Sequence, residues 1–401
     1  MVTLPDIEAA RRRMREQVSL TPCPRSEYFS RMLGCEASFK LESLQMTGSF
    51  KERGALNKLL LLTAEERARG VVCASAGNHA QGVAYHSSRL GIPATIVMPE
   101  STPLIKVSST KGYGAKVVLH GANFDESLAE AWRRCDAEKL VFVHPFDDDH
   151  VIAGQGTIGL ELLEQNPFLE MVIVPVGGGG LIAGVACAIK EVNPRVRVVG
   201  VEAEALPKLA ASLKAGAPVT IEAGSTIADG IAVRRIGERT FPMIQRYVDE
   251  VALCDDEEIA NAILLLLERE KTVAEGAGAI SLAAAVNRKV KVEGRRVVML
   301  IGGGNIDVNL ISRIIERGLV KDGRLVRLSV TVPDRPGTLA RLTELVARQR
   351  ANVVEIHHNR AFSKSALGDT VVELVLETRG HEHIDDLVRE LESKSYAVAR
   401  G

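Results

Sequence analysis

Residues 171–192 read MVIVPVGGGGLIAGVACAIKEV, and the fold turns on how that stretch is read. Met171–Val176 is an unbroken apolar run rich in Val and Ile, the composition of a strand buried on both faces. Gly177, Gly178, Gly179 and Gly180 follow, and Leu181–Val192 continues in helical period. Contiguous glycines lose much chain entropy on folding, so such a run implies a use. The use that fits is a set of backbone N–H groups converging on an anion at a helix N-terminus. A rival reading fits the same residues: Gly178, Gly180 and Ala183 form GxGxxA, and Glu202 ends the next strand about 20 residues later, as in a dinucleotide-binding turn.

The same alternation extends outward, from about Ile7 to Gly318. Gly70–Ala74 precedes the helix-period segment Asn78–Leu90, Ala94–Met98 precedes Leu104–Tyr113, and Val117–Leu119 precedes Asp125–Cys135. Downstream, Val196–Val201 leads into a polar stretch and Val297–Ile301 into Asp307–Arg317. Strands alternating with helices of this length predict an α/β fold of parallel sheets covered by helices. A polar, Gly-bearing stretch, RGLVKDGR, then breaks the pattern at 317–324. Beyond it Val326, Leu328, Val330 and Val332 alternate with polar residues, a turn follows at Asp334–Gly337, and the order βαββαβ fills about 75 residues. The expected organisation is a first domain over 1–318 with two α/β subdomains, a linker over 319–324, and a small α+β domain over 325–401. A chain of 401 residues also exceeds the roughly 250–300 residues at which one core stops growing.

Bulk properties exclude some roles. Lys plus Arg total 50 and Asp plus Glu 51, so a net charge of −1 offers nothing to nucleic acid or an anionic membrane. The apolar runs Ile259–Leu267 and Val297–Ile301 fall short of the about 20 residues a bilayer requires, and the first reads as a buried helix or subunit contact. The N-terminus lacks the apolar segment of a secretion signal. Six scattered cysteines without a CxxC pair suit a reducing cytoplasm. His144-Pro145-Phe146-Asp147-Asp148-Asp149-His150 reads as a solvated acidic loop, and His357 and His358 point to opposite faces of a strand, so no metal site is expected.

Three further segments carry chemistry. Thr47-Gly48-Ser49-Phe50-Lys51 places a lysine after an aromatic ring among small residues, a setting that makes a lysine a Schiff-base nucleophile; the plain alternative is a surface lysine opening a helix capped by Thr47 or Ser49. Ser75-Ala76-Gly77-Asn78-His79 follows a strand and opens a helix, suited to a carboxylate. Ile301-Gly302-Gly303-Gly304-Asn305 is another strand-to-helix turn. A nicotinamide enzyme has no role for Lys51 in that setting, which favours the anion reading of the polyglycine run.

Together these segments resemble the fold type II pyridoxal 5'-phosphate (PLP) enzymes, and most closely the threonine/serine dehydratases. The resemblance covers nearly the whole chain: TPCPRSEYFS at 21–30, TGSFKERGALNKL at 47–59, SAGNHAQGVAY at 75–85, AGQGT at 153–157, GGGGLIAG at 177–184, TIADGIAV at 226–233 and EGAGA at 275–279. It implies that Lys51 holds PLP as a Schiff base and that Phe50 packs on the pyridine ring. It further implies that Asn78 meets the ring 3'-oxygen and that Gly177–Leu181 hold the phosphate. Thr47, Ser49, Ser75, Gly77, Asn78 and His79 would hold the substrate carboxylate. Threonine would give 2-oxobutanoate and ammonia, and serine pyruvate and ammonia.

Two departures stand out. Gly302 occupies a position where such enzymes carry Ser or Cys facing the pyridine nitrogen. Ala76 occupies the position where the similar serine racemases carry the serine that protonates the opposite face, so racemisation is expected to be weak. Those racemases bind a divalent cation through an acidic cluster beginning at the position of Glu202, and Lys208 here disfavours one. The C-terminal domain resembles an ACT domain, a paired amino-acid-sensing module, through Pro333–Leu339. That implies Asp334, Gly337 and Asn352 as effector contacts, isoleucine or valine as effector, and a homodimer or homotetramer. A PLP lyase for another β-hydroxy amino acid such as hydroxyaspartate, and a non-catalytic amino-acid sensor, remain open on these residues.

Overall fold

The computed structural model describes residues 1–359, 366 and 368–401, in two units, Met1–Ile306 and Asp307–Gly401. The first unit contains nine strands: β1 (Glu36–Leu41), β2 (Val71–Ala74), β3 (Ala94–Met98), β4 (Lys116–Leu119), β5 (Val141–Phe142), β6 (Met171–Pro175), β7 (Arg197–Ala203), β8 (Glu250–Cys254) and β9 (Arg296–Ile301). They form two sheets in the orders β1-β9-β6-β7-β8 and β4-β3-β2-β5, and every pairing in both is parallel. Every residue of β2 and of β6 is buried. Helices on both faces explain why these strands are written as continuous apolar runs.

The sequence pattern misses β1, β5 and β8, and the stretch after β7 contains a helix, Lys208–Ala215, where polar chain was expected. AGQGT lies inside the buried helix Asp149–Gln165, whose Gly156 packs on the backbone of Gly184 in the helix Gly180–Val192. TPCPRSEYFS runs beside β1, where the carbonyls of Pro22 and Pro24 accept the N–H groups of Leu41 and Phe39. The run Ile259–Leu267 is helical from Asp256 to Leu265, with Ile259, Ala262 and Ile263 buried.

Beneath the helix Lys51–Leu60 lies a fully buried charge cluster. Arg53 contacts Glu42 at 2.7 Å and Glu161 at 2.6 Å, and Lys40 contacts Glu161 at 2.6 Å. Two cations answer two carboxylates, so the charges are paired where little water reaches them.

The second unit contains β10 (Leu325–Pro333), β11 (Asn352–Asn359), β12 (Asp369–Glu377) and β13 (Ala397–Arg400), an antiparallel sheet in the order β11-β12-β10-β13. With the helices Thr338–Arg348 and His381–Ser393 it is the expected βαββαβ unit. Its alternating core residues, Val326, Leu328, Val330 and Val332, are buried. The helix Val308–Lys321 crosses the expected boundary at 318/319 and fills half of the expected linker. Ile311, Ile314, Ile315 and Leu319 keep helical spacing through Gly318, which a helix tolerates at a modest cost.

The register separates the three residues expected to touch an effector. Asn352 and Leu325 both pair with Glu377, whereas Pro333, just before Asp334, pairs with Asp369 at the other end of β12. Eight residues of strand, roughly 26 Å at about 3.3 Å each, lie between. Within one chain Asn352 therefore does not join Asp334 and Gly337, and its amide instead donates to Glu377 at 2.9 Å.

Candidate active site

A cavity of about 300 Å³ opens where the turns after β2, β6 and β9 meet the start of the helix Lys51–Leu60. Its lining includes Phe50, Lys51, Ser75, Gly77, Asn78, His79, Gly177–Gly180, Leu181 and Gly302, so most of the expected site residues converge. Thr47 and Ser49 do not line it. The Thr47 hydroxyl donates to Glu52 at 2.8 Å, and Ser49 bridges to Gly303 with its Oγ buried and without a partner among the described residues. Neither caps the helix, whose N-cap is Phe50.

Lys51 is the first residue of its helix, and its Nζ donates to the Pro145 carbonyl at 2.8 Å. The ammonium lies 5.3 Å from the centroid of the Phe50 ring. Burial lowers its pKa to about 8, against the opposing pull of Glu275. A lysine so placed is partly neutral near physiological pH, which a nucleophilic amine requires. Two crossed contacts lock the loop before it to the turn after β9: Phe50 N–H donates to Gly302 O at 3.0 Å, and Gly304 N–H to Gly48 O at 3.0 Å.

The polyglycine turn is shaped by close packing. A side chain at Gly178 would land on the Phe146 ring, and one at Gly180 would come within 2.7 Å of the Phe146 carbonyl. Gly179 has φ +95°, which other residues adopt only with strain. The turn thus presents bare backbone to the cavity, and the first turn of the helix Gly180–Val192 adds N–H groups that lack intrahelical acceptors. An anion fits there. Glu202, the acid of the rival dinucleotide reading, is fully buried: it pairs with Lys208 at 3.1 Å and accepts the N–H groups of Leu209 and Ala210. Its carboxylate has no room for a ribose, so that reading fails.

Asn78 opens the helix Asn78–Arg89. Its Nδ2 donates to Glu275 at 2.7 Å and its Oδ1 accepts from Asn305 at 2.7 Å. An amide nitrogen carries two hydrogens, so one remains for a ligand. Burial raises the Glu275 carboxyl to about 7, with Asp229 adding repulsion. His79 is driven down to about 3 by burial and by Lys51, so its ring is neutral. Its Nε2 lies 2.9 Å from the Val143 carbonyl, which only accepts; Nε2 therefore holds the hydrogen, and Nδ1 is buried without a partner among the described residues. What His79 offers the cavity is its main-chain N–H.

The residues that the sequence pattern missed are Glu275, Pro145, Phe146 and Asn305. The loop 144–150, expected to be solvated, is instead built into the site. His144 Nδ1 accepts the Asp147 N–H at 2.8 Å, Asp147 accepts the Arg239 N–H at 2.8 Å, and Asp148 pairs with Lys58 at 2.6 Å. Glu275 and Asn305 lay inside the glycine motifs, and their acid and amide next to those glycines were the available signal. Pro145 acts through a carbonyl, which no side-chain pattern reveals.

A lysine of lowered pKa beside an aromatic ring, on one cavity with an anion-binding glycine turn, defines a site for a phosphate-bearing aldehyde cofactor. The chain belongs to the pyridoxal-phosphate dependent enzymes, whose family pattern matches residues 14–303, and residues 326–395 match the ACT domain. It is 51% identical over 398 residues to the L-threonine ammonia-lyase of Thermotoga maritima, covering 99% of each. Among solved structures it resembles the processed form of threonine deaminase isoform 2 from Solanum lycopersicum, with TM-score 0.75, 38% identity, and 78% of this chain and 86% of that one covered. It also resembles maize serine racemase, with TM-score 0.75, 35% identity, and 80% and 98% covered. Among the described residues no helix is long and apolar enough to cross a membrane, and all six cysteines are unpaired.

Proposed function

We propose that the protein is a threonine dehydratase that converts L-threonine to 2-oxobutanoate and ammonia, and L-serine to pyruvate and ammonia. The observation that carries this is the Lys51 amine, on the same cavity as the polyglycine turn, with its pKa lowered by burial to about 8. Bound PLP supplies an electron sink that acidifies the Cα proton of an amino acid.

The chain's own groups do the rest. Lys51 would hold the cofactor, and its free amine would take the Cα proton. Gly177–Leu181 grip the phosphate through main-chain N–H groups, and the Phe50 ring flanks the lysine. The second hydrogen of the Asn78 amide orients a ring oxygen. The N–H groups of Asn78 and His79 at the first turn of their helix, with Ser75 and Gly77 leading into it, hold the substrate carboxylate. The β-hydroxyl leaves as water with the proton that Lys51 took from Cα; the enamine, once released, tautomerises to an imine, and water hydrolyses the imine to the oxo acid and ammonia. Gly302 lines the cavity but has no side chain to offer the ring nitrogen.

The ACT domain makes the enzyme responsive to isoleucine or valine in a homodimer or homotetramer, and unpaired cysteines fit a cytoplasmic enzyme. The exposed Val354 and Ile356 on β11, at the sheet edge, suit pairing of copies. Keto-acid release from threonine, serine and hydroxyaspartate, with and without each branched-chain amino acid, tests the reading. Hydroxyaspartate turnover without threonine turnover refutes the substrate, and an unchanged effector response after deletion of Leu325–Gly401 refutes the regulation.

A further inference from the structure

Lys208 is fully buried and is not among the residues that line the cavity. A lysine rarely goes so deep without a function or a complete set of partners. Its Nζ has three oxygen neighbours: Val176 O at 2.7 Å, Glu202 Oε1 at 3.1 Å and Leu206 O at 3.4 Å. An ammonium has three hydrogens, so the set is complete. Glu202 is equally buried, and its two oxygens also accept the N–H groups of Leu209 and Ala210 at 2.8 and 3.0 Å. One carboxylate and two main-chain carbonyls around a single positive charge make a cation cage, here filled by a cation on a tether.

The cage touches the site through one peptide bond. Val176 is the last residue before the polyglycine turn. Its N–H is spent on the Val201 carbonyl at 2.8 Å, and its carbonyl accepts from Lys208. In a planar trans peptide the C=O and the next N–H point in opposite directions. Fixing the Val176 carbonyl toward Lys208 therefore fixes the Gly177 N–H away from it, and Gly177 lines the cavity. The ammonium also polarises that peptide, which strengthens Gly177 as a donor.

We propose that Lys208 is a positioning residue that serves as a built-in monovalent cation, aiming the first N–H of the glycine turn at the cofactor phosphate and making the protein independent of a free ion. The proposal rests on the PLP reading of the cavity. Oxygen neighbours at 2.7–3.4 Å suit a large monovalent ion or an alkylammonium. Mg²⁺, which requires about 2.0–2.1 Å, does not fit.

The test uses the full-length holoenzyme and Lys208→Ala, in tetramethylammonium, sodium, potassium, ammonium and methylammonium chlorides at one ionic strength. PLP affinity is read by fluorescence titration and stability by melting temperature. In tetramethylammonium, too large for the cage, Lys208→Ala is expected to bind PLP about 10- to 100-fold more weakly, the value of one charge-assisted hydrogen bond. Potassium, ammonium or methylammonium is expected to restore most of that affinity, while the wild type ignores the ion. Wild-type affinity of the variant in every salt, or a loss that no ion repairs, overturns the proposal. If Lys208→Ala does not fold in tetramethylammonium, its folding and PLP binding in potassium or methylammonium decide: recovery there supports the proposal, and failure in every salt overturns it. A wild type that binds no PLP refutes the cofactor reading instead, and the ion dependence of the variant's melting temperature still tests the cage.

Discussion

Replacing Glu275 by glutamine is expected to stabilise the cofactor-free protein at pH 8. The carboxyl is buried, near Asp229, and its pKa in the fold is raised from 4.5 to about 7, with burial the larger cause. Below about 4.5 it is protonated whether the chain is folded or not. Between 4.5 and about 7 the folded state holds the proton and the unfolded chain releases it, so stability falls as pH rises. Above 7 the whole cost remains. At 1.36 kcal/mol per tenfold change in proton affinity, the interval corresponds to about 3 kcal/mol. Glutamine keeps an oxygen for the Asn78 amide, which now donates to Glu275 at 2.7 Å, and removes the charge. Loss of the attraction between Glu275 and the Lys51 ammonium trims the gain. At roughly 2 °C per kcal/mol for a unit of this size, the variant gains up to about 6 °C in melting temperature at pH 8 and little at pH 5. Scanning fluorimetry of both proteins at both pH values measures it. A variant that melts below the wild type at pH 8, or by the same margin at both pH values, refutes the reasoning.

Lys51→Ala is expected to leave no adduct after borohydride reduction in the presence of PLP, and to lower threonine turnover by at least about 10²–10⁴-fold, the share of a positioned base; mass spectrometry and a keto-acid assay read the two. Gly178→Ala drives a methyl group into the Phe146 ring and costs about 1–3 kcal/mol, visible as weaker PLP binding in a titration. Arg53→Met leaves Glu42 and Glu161 buried with only Lys40 to answer them, and is expected to cost about 3–5 kcal/mol in denaturant unfolding while the wild-type cavity residues stay unchanged.

The legible part of the fold is the part buried on both faces. Runs such as Val71–Ala74 and Met171–Pro175 stand out because nothing polar interrupts them, and each ends in glycine or asparagine at a site turn. The three strands the pattern missed are all at sheet edges: β1 and β8 flank the five-stranded sheet and β5 ends the four-stranded one. Charged residues hide the period: Glu36 opens β1 exposed, Lys40 sits in β1 buried against Glu161, and Glu250 opens β8. The site divides similarly. Its glycines and Lys51 are visible as residue types, whereas the Pro145 carbonyl and the aim of the Gly177 N–H belong to a backbone that every sequence shares.

Lys51 itself breaks a local rule, and the break carries information. The first turn of a helix favours acidic residues, because its free N–H groups carry partial positive charge. Here a lysine occupies the first helical position, with Glu52 beside it bonded back to Thr47. The helix end therefore pushes the amine toward neutrality in the same direction as burial. A helix chosen for stability would place Lys51 in its last turn, where Lys58 stands. Local preference and function conflict at this one residue, and such a conflict marks a site whose chemistry needs the less comfortable arrangement.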